Sequence, residues 1–501
     1  MDLYNKTHYN HLKHTFFRRF QMIMIDLGGV LMIGRKKETQ YLSECLESNQ
    51  SEFLVVYGRR RVGKTYLIKE YFNNRFSFYA TGVSSTKTRE QLAYFTDSLR
   101  EYGDPSAGCY KNWREAFAAL KSLLSDEHIY RDPVSGKRIV FLDELPWMDT
   151  PRSDFKSALD HFWNSYASSQ KDLLLIVCGS ATSWIINNIL ADHGGFYNRV
   201  TKQIHLQPFS LAECDEYYRS RDICLDKEDI IDSYMVFGGV PFYLSMYDRR
   251  LSLAQNIDVL LFSKNGQLYY EYERLFSSLF RNSKKHLAIM EAIAKKSSGM
   301  TRVEVIKSTG IADGDLLTRA LEELEQSGFI RKYKNFTKKK SGYFYQIIDP
   351  FSLFCIRFIN DRSFSSWLKY IRTPAYNAWR GYAFELVCMC HIDKIKSVLG
   401  IAGVESMEYA WTSKAGEGGA QIDMLIDRED NVINICEMKY SRTPFLIDKD
   451  YEKKLENKLL VFANETGTKK ALHLTMICAG GLEHNKYSEI VINEINGIEL
   501  F

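Results

Sequence analysis

The stretch 53–72, FLVVYGRRRVGKTYLIKEYF, constrains this chain more than any other segment. Its five apolar residues at 53–57 predict a buried strand, and YLIKEYF has helical character. Between them lies Gly58-x4-Gly63-Lys64-Thr65, whose glycines let backbone N–H groups wrap phosphates at a helix N-terminus. In such a loop the lysine reaches the outer phosphates and the threonine hydroxyl ligates Mg²⁺. The order strand, loop, helix therefore favours a nucleotide site over a chance glycine turn.

A second segment, RIVFLDELPWMD at 138–149, predicts another buried strand that ends in Asp143-Glu144. Asp143 is expected to hold Mg²⁺ through water, and Glu144 to orient or deprotonate the attacking water. Two acids that face solvent at the end of a strand are common on their own. Because a phosphate-binding loop precedes them, the catalytic interpretation is favoured here.

Two further polar residues are candidates for contact with phosphate. Ser180 follows a third apolar strand, LLLIVCG, and is placed to sense the γ-phosphate beside the second strand. Arg199 is placed to contact phosphate in its own chain or in a neighbouring copy, which allows a homo-oligomer. Both residues have a structural interpretation of equal weight.

The order of six motifs resembles the prokaryotic "archaeal ATPase" family, in the STAND branch of the AAA+-like P-loop ATPases. They are IGRKKE (33–38), YGRRRVGKT (57–65), FLDELPW (141–147), CGSATS (178–183), QPFSLAE (207–213) and GGVPFYL (238–244). The resemblance implies an ATPase core at 31–210, a helical lid at 211–280, and ATP with Mg²⁺ as cofactors. It also implies that Gly34 and Arg35 lie near the adenine, and that the turn at 238–241 couples the lid to the nucleotide.

Residues 281–350 predict three helices and a strand pair, the order of a winged helix-turn-helix module. Gly310 is expected to end the second helix, and Asp313 or Asp315 to cap the third. The stretch 281–348 holds 14 Lys/Arg against 7 Asp/Glu, which indicates a polyanion partner such as DNA. Lys338–Lys340 would lie in the wing and contact phosphates. Equally, such a module packs domains together, and the acids of the third helix are poor groups for the major groove.

Residues 421–441, QIDMLIDREDNVINICEMKYS, predict a β-hairpin in which Asp423 lies opposite Glu437. Facing like charges are destabilising, so a compensating group is expected. Helix 378–392, strands within 403–412, 421–427 and 432–440, helix 448–464 and strand 470–480 follow the order αβββαβ. That order resembles the restriction-endonuclease-like core, whose signature is an acid followed by (D/E)-x-K.

In that resemblance the acids are Asp423 and Glu437, the lysine is Lys439, and Glu385 matches an additional helix acid. Two carboxylates that share a divalent ion satisfy the expectation of compensation, and the ion activates water. Lys439 would steer that water or stabilise developing negative charge. A surface hairpin with a Glu–Lys pair is the structural alternative.

Composition places the chain among ordinary globular proteins of several domains, with 501 residues, 45% hydrophobic residues and a net charge of +4. Ten scattered cysteines without CxxC spacing predict reduced thiols in a cytoplasmic protein rather than a zinc site. The apolar stretch 22–33 is too short to span a bilayer, so no membrane span is predicted. Residues 1–30 are interpreted as an N-terminal extension and 351–375 as a linker helix.

The sequence thus predicts an α/β multidomain protein. Its parts are a P-loop NTPase parallel-sheet core, a helical lid, a winged-helix module and a restriction-endonuclease-like domain at 376–501. The favoured function is ATP-controlled action on DNA with metal-dependent phosphodiester cleavage. The alternative is a STAND-type signalling switch or DNA-bound regulator, whose last domain binds nucleic acid without cleaving it.

Overall fold

The computed structural model describes residues 32–501 apart from 192–195, 197, 281, 337–342, 361–365, 372 and 414–419. These residues divide into two compact units. Unit 1 contains the described residues up to Gly58 together with 63–180 and 184–206, and unit 2 contains 59–62, 181–183 and 207–501. The division at 206 lies close to the predicted end of the ATPase core at 210. The finer boundaries predicted within 207–501 stay predictions.

The centre of unit 1 is a five-stranded sheet in which every pair is parallel, in the order β2-β3-β4-β1-β5. Its strands are β1 (Glu52–Tyr57), β2 (Phe78–Thr81), β3 (Arg138–Asp143), β4 (Leu173–Gly179) and β5 (Lys202–His205). All residues of β3 and β4 are buried, which explains why both read as continuous apolar runs. The parallel-sheet core predicted from the sequence is confirmed.

The helices of unit 1 provide the apolar surfaces that cover this sheet. Those of seven or more residues are α1 (Lys36–Glu47), α2 (Lys64–Tyr71), α3 (Thr88–Glu101), α4 (Trp113–Leu124) and α5 (Phe155–Ser165). Trp113, Phe117 and Phe155 pack with sheet residues such as Val140 in one cluster. The carboxyl ends of β1, β3 and β4, where Gly58, Glu144 and Ser180 follow, lie at one edge of the sheet.

Unit 2 begins with helices. The longer ones are α6 (Leu211–Ser220), α7 (Lys227–Phe237) and α8 (Glu271–Leu279), and the shorter ones are Pro241–Leu244 and Leu253–Ile257. Gly238 ends α7 with φ 63°, and Gly239 also has positive φ, so a tight bend precedes Pro241. A Cβ on Gly239 would lie 2.2 Å from the carbonyl oxygen of Phe209, so only glycine fits there.

The basic region follows as α9 (Ser283–Ile293), β6 (Met300–Thr301), α10 (Arg302–Thr309), α11 (Asp315–Gln326), β7 (Ile330–Lys334) and β8 (Tyr343–Ile347). The three strands form an antiparallel sheet, and Gly310 ends α10 with φ 69°, as predicted. The predicted caps of α11 are wrong, because its N-cap residue is Gly314. Asp313 instead forms an ion pair with Arg302 at 2.6 Å. Lys338–Lys340 lie outside the described residues, and the winged-helix assignment stays a prediction.

The last part of unit 2 contains the predicted helices and strands in the predicted order, together with one further helix and three further strands. After the short helices Pro350–Phe354 and Trp367–Tyr370 come α12 (Pro374–Cys390), α13 (Ile392–Val398), β9 (Ser406–Thr412), β10 (Gln421–Arg428), β11 (Val432–Lys439), β12 (Phe445–Leu446), α14 (Lys449–Thr466), β13 (Ala471–Cys478), β14 (Leu482–Glu483) and β15 (Asn493–Asn496). The main sheet has the order β15-β13-β11-β10-β9. Pairing is antiparallel from β9 to β11 and parallel from β11 to β15. Its assignment to the restriction-endonuclease-like class stays a prediction.

No helix among the described residues combines the length and the apolar character needed to cross a bilayer.

Candidate functional sites

The loop between β1 and α2 has the geometry of a phosphate cradle. Gly58 (φ 142°) and Gly63 (φ 92°) both adopt conformations that favour glycine, and Gly63 is the N-cap of α2. A Cβ on Gly58 would lie 2.3 Å from the carbonyl oxygen of Leu206, which excludes any side chain there. Lys64 is 4% exposed, and its Nζ donates to the carbonyl oxygen of Gly58 at 2.8 Å. The lysine side chain therefore crosses the loop and lies near the phosphates that the loop is predicted to bind.

The predicted Mg²⁺ ligands meet at the carboxyl edge of the sheet. The Thr65 hydroxyl donates to Oδ2 of Asp143 at 2.8 Å. Burial raises the pKa of Asp143, and the adjacent charge of Glu144 raises it further. A hydroxyl beside a carboxylate whose charge is poorly compensated is a donor set that fits Mg²⁺. These two residues are thus brought together as the sequence predicts.

Glu144 and Ser180 form a second pair at the same edge. The Ser180 hydroxyl donates to Oε1 of Glu144 at 2.8 Å, and the Ser180 amide lies 3.4 Å from Oε2. Glu144 has φ 46°, a left-handed conformation that is uncommon outside glycine. Ser180 therefore contacts the carboxylate predicted to act on water. Its role as a phosphate sensor stays a prediction.

The other residues predicted near the nucleotide have more varied positions. Gly34 and Arg35 both adopt left-handed conformations (φ 64° and 59°), and Arg35 is the N-cap of α1. Arg35 is buried and lies 3.7 Å from Glu38. Arg199 is exposed before β5. Contact of Gly34 and Arg35 with adenine, and of Arg199 with phosphate, stays predicted.

His205 is a residue near the P-loop that sequence reasoning missed. Its ring stacks on Tyr57 with centroids 4.6 Å apart and planes 4° apart. Burial lowers the pKa of His205, and the charge of Lys64 lowers it further. A single histidine on an edge strand carries no sequence signal of this kind.

In the C-terminal part of unit 2, the register of the β10–β11 hairpin is the predicted one. Met424 pairs with Cys436 and Ile426 with Asn434, so the hairpin is centred on residue 430. The pairing of β10 with β9 has an irregularity between Ile422 and Leu425, and Asp423 lies within it. Asp423 is half-buried and accepts a hydrogen bond from Gln421 Nε2 at 2.5 Å. Irregularities of this type re-aim a side chain next to functional sites.

Glu437 has three partners that donate to its carboxylate. Oε1 accepts from the Tyr451 hydroxyl at 2.6 Å and lies 2.9 Å from Lys439 Nζ, while Oε2 lies 2.5 Å from Lys458 Nζ. Burial pushes the pKa of Glu437 up, but Lys458 and Lys439 more than offset this and lower it to about 2. Tyr451 and Lys458 lie on α14 and were missed. Their seven-residue spacing, which is two helical turns, is the signal that places both on one face.

Glu385, on α12, belongs to the same group of charges. Its burial and the nearby charge of Asp423 raise the pKa of Glu385 to about 8. Carboxylate oxygens are the type of donor that a divalent cation prefers. Within the described parts of the chain, however, no three His, Cys, Asp or Glu side chains are placed together to hold a metal ion. Among the predicted site residues, Lys439 contacts Glu437 directly, and the charge of Asp423 acts on Glu385. Their role as a metal site stays a prediction.

Known proteins show similarity to the part of the chain that contains the first of these sites. Residues 32–247 match the family described as "ATPase domain predominantly from Archaea". An uncharacterised protein of Methanocaldococcus jannaschii is 26% identical over 364 residues, 71% of this chain and 76% of that protein. An uncharacterised ATP-binding protein of the same organism is 42% identical over 48 residues, 10% of this chain and 81% of that protein. Residues 32–247 are thus similar to an ATPase domain, and that range contains the loop and both acids of the first site.

Two solved structures are also similar. The Walker-type ATPase PABY2304 of Pyrococcus abyssi is 20% identical, covers 65% of this chain and 96% of that chain, and has a TM-score of 0.44. The ORC2 protein of Aeropyrum pernix, in complexes with ADPNP and ADP, is 13% identical, covers 66% of this chain and 94% of that chain, and has a TM-score of 0.39.

Proposed function

We propose that this protein is an ATP hydrolase whose ATP turnover controls action on DNA, performed by a metal-dependent nuclease-like domain at its C-terminal end. The observation that carries the ATPase part is the double pairing at one sheet edge, Thr65 with Asp143 and Ser180 with Glu144. In each pair a hydroxyl group contacts a carboxylate. Asp143 is proposed to hold the metal, and Glu144 is proposed to act on water.

In this mechanism, ATP phosphates bind to the N–H groups of the loop and of the first turn of α2. Lys64 exchanges its bond to the Gly58 carbonyl for the outer phosphates. Thr65 and Asp143 are the residues that would hold Mg²⁺, which would offset the charge on the phosphates. Glu144, oriented by Ser180, accepts a hydrogen bond from the attacking water and directs it towards the γ-phosphate.

The nuclease part is supported by the contact of Lys439 with Glu437 and by the charge of Asp423, which acts on Glu385. A divalent ion bound by Asp423 and Glu437 would activate water and offset charge on the scissile phosphate. Lys439 lies beside Glu437 and would stabilise the negative charge that develops on phosphate. The basic excess in 281–348 supports electrostatic attraction of DNA.

A second candidate function is a STAND-type switch or DNA-bound regulator whose C-terminal domain binds nucleic acid without cleaving it. The observation that favours it is the engagement of both Glu437 oxygens by Lys439, Lys458 and Tyr451. A metal must compete with two ammonium groups for that carboxylate, and a pure binding module has no such requirement.

A cleavage assay on single- and double-stranded DNA and RNA, with Mg²⁺ or Mn²⁺ and with or without ATP, separates the two functions. The nuclease proposal expects cleavage by the wild type and its loss in Lys439→Ala. Lys453→Ala, a change at an exposed lysine of α14, is the matched control and should cleave normally. Absence of cleavage on every substrate, with nucleic-acid binding retained, would establish the regulator instead.

The ATPase proposal has its own test at the lysine of the loop. Lys64→Ala should abolish ATP binding in an equilibrium titration, because in such a loop the lysine is the side chain that reaches the outer phosphates. Lys69→Ala, a change on the same helix, should bind ATP like the wild type. Normal ATP affinity in Lys64→Ala would remove the loop from the nucleotide site.

A further inference from the structure

Arg59, the first of three consecutive arginines in the phosphate-binding loop, is held inside unit 2. It is 5% exposed and forms an ion pair with Asp349, which is 2% exposed. Asp349 is the N-cap of the helix Pro350–Phe354, and its second oxygen accepts from the Ser352 amide at 3.0 Å and the Ser352 hydroxyl at 2.5 Å. The carboxylate is therefore oriented before it meets the guanidinium.

Arg61, two residues further along, is held in an analogous way. Its Nε and Nη2 donate to the two oxygens of Glu271 at 2.9 and 3.0 Å, a bidentate arrangement. The guanidinium carbon lies 3.9 Å from the ring centroid of Phe242, and the Tyr243 hydroxyl donates to Glu271 at 3.2 Å. Arg61 has φ 77°, a conformation that is uncommon outside glycine. Arg59 and Arg61 are thus each bound to a carboxylate of unit 2, whereas Arg60 between them is exposed.

These contacts matter because a free guanidinium in such a loop would compete for the phosphates that the backbone N–H groups must bind. The glycines leave the loop backbone free to adopt many conformations, so something must fix its middle. Gly58 is confined by Leu206, and Lys64 begins α2, which fixes the two ends. The ion pairs of Arg59 and Arg61 fix the part of the loop that lies between Gly58 and Lys64.

We propose that Asp349 and Glu271 are positioning residues of the ATP site, which act by holding Arg59 and Arg61 so that the loop presents its N–H groups to phosphate. This inference rests on the proposed binding of ATP by the loop. It assigns residues far along the chain, outside 58–65, to nucleotide affinity. No motif of the P-loop marks either carboxylate.

The Arg61–Glu271 pair provides the first test, because the Arg61 side chain is 27% exposed and its loss is tolerable to the fold. Glu271→Gln retains size and hydrogen bonding but removes the charge. We expect its affinity for ATP to fall about tenfold, the worth of one charge-assisted hydrogen bond. The ATP-induced increase in melting temperature should shrink in parallel. In an Arg61→Met background the same change should cause no further loss, since the carboxylate acts only through Arg61.

Asp349→Asn and Arg59→Met form a second double-mutant cycle. The combined variant should lose no more ATP affinity than either single variant. The matched control is Asp215→Asn, which removes the partner of Lys227 and Arg219 in an ion-pair group of unit 2 that contains no loop residue. Its ATP affinity should equal that of the wild type, whatever its melting temperature.

Wild-type ATP affinity in folded Glu271→Gln and Asp349→Asn would overturn the inference. So would additive losses in the double variants, because they would mean that the carboxylates do not act through the arginines. Failure of the wild type itself to bind ATP would overturn the proposed function. The three results are distinguished in one set of titrations on the full chain.

Discussion

At the scale of single residues, Glu144 offers a way to separate ATP binding from ATP hydrolysis. Glu144→Gln keeps the shape of the side chain and its contact with Ser180, but loses the charge that attracts a proton from water. Turnover should slow by on the order of 10² or more while ATP affinity stays near that of the wild type. Single-turnover hydrolysis and equilibrium titration measure the two quantities.

The matched change at this position is Ser180→Ala, which leaves Glu144 charged but without its 2.8 Å donor. Its turnover should lie between those of the wild type and Glu144→Gln. An unchanged rate in Glu144→Gln would move the water-activating role to another residue.

His391 predicts a dependence of stability on pH. Nδ1 donates to the Val387 carbonyl at 2.7 Å, and Nε2 accepts from the Leu211 amide at 2.9 Å, so the buried ring is neutral. Burial lowers the pKa of His391 to about 4, from 6.5. Below pH 6.5 the unfolded chain binds the proton first, so this residue should destabilise unit 2 as the pH falls towards 4. The loss is on the order of 2 kcal/mol at pH 5.

Denaturant unfolding at pH 7.5 and pH 5 checks this expectation. The decrease in the free energy of unfolding between the two values should be smaller in His391→Gln than in the wild type. His128→Gln, a change at an exposed histidine, should retain the full decrease. Equal decreases in the wild type and His391→Gln would show that His391 is not a buried neutral base.

At the scale of elements, α14 supplies the compensation that the hairpin charges require. The sequence predicts that a metal ion offsets Asp423 and Glu437, whereas the structure places Lys458 of α14 against Glu437. Glu437→Ala in metal-free buffer should therefore be destabilising, by about 3 kcal/mol, because it leaves a lysine without its buried partner. The relief of repulsion expected from the hairpin alone does not apply to Glu437.

The same contact predicts how the metal competes. Lys458→Ala frees one oxygen of Glu437, so Mg²⁺ or Mn²⁺ should raise the melting temperature of this variant more than that of the wild type. Lys454→Ala, one turn earlier on α14 and exposed, should respond like the wild type. Equal responses of all three proteins to divalent ions would mean that Glu437 takes no part in metal binding.

Some contacts between these elements could be predicted from the sequence, and others could not. The β10–β11 register was predictable because Asn431, at φ 64°, favours the tight turn and the apolar alternation allows one register. Thr65, Asp143, Glu144 and Ser180 were predictable because parallel strands end at one edge. Lys458 and Asp349 were not, since each meets its partner through tertiary packing that leaves no local pattern. Gly314 in place of an aspartate cap shows the same limit at one helix end.

At the scale of the whole molecule, the basic excess predicts how DNA affinity depends on salt. Replacing Lys338–Lys340 by alanine should flatten the slope of affinity against salt by up to about three phosphate contacts. A control triple variant at Lys111, Lys121 and Lys171, exposed in unit 1, should keep the wild-type slope. Equal slopes in the wild type and the Lys338–Lys340 variant would show that this segment does not touch DNA.

The contact of Gly58 with Leu206 has a consequence for the order of events during synthesis. β1 pairs with β4 and β5, and Thr201 bonds to Phe53 across a separation of 148 residues. The ribosome adds about 5–20 residues each second, so Leu206, which confines Gly58, is synthesised on the order of ten seconds after the loop. During that interval the arginine-rich loop is exposed without the chain that confines it. We therefore expect a nascent chain to bind ATP only after its parallel sheet closes, which would make nucleotide capture a late event in its folding.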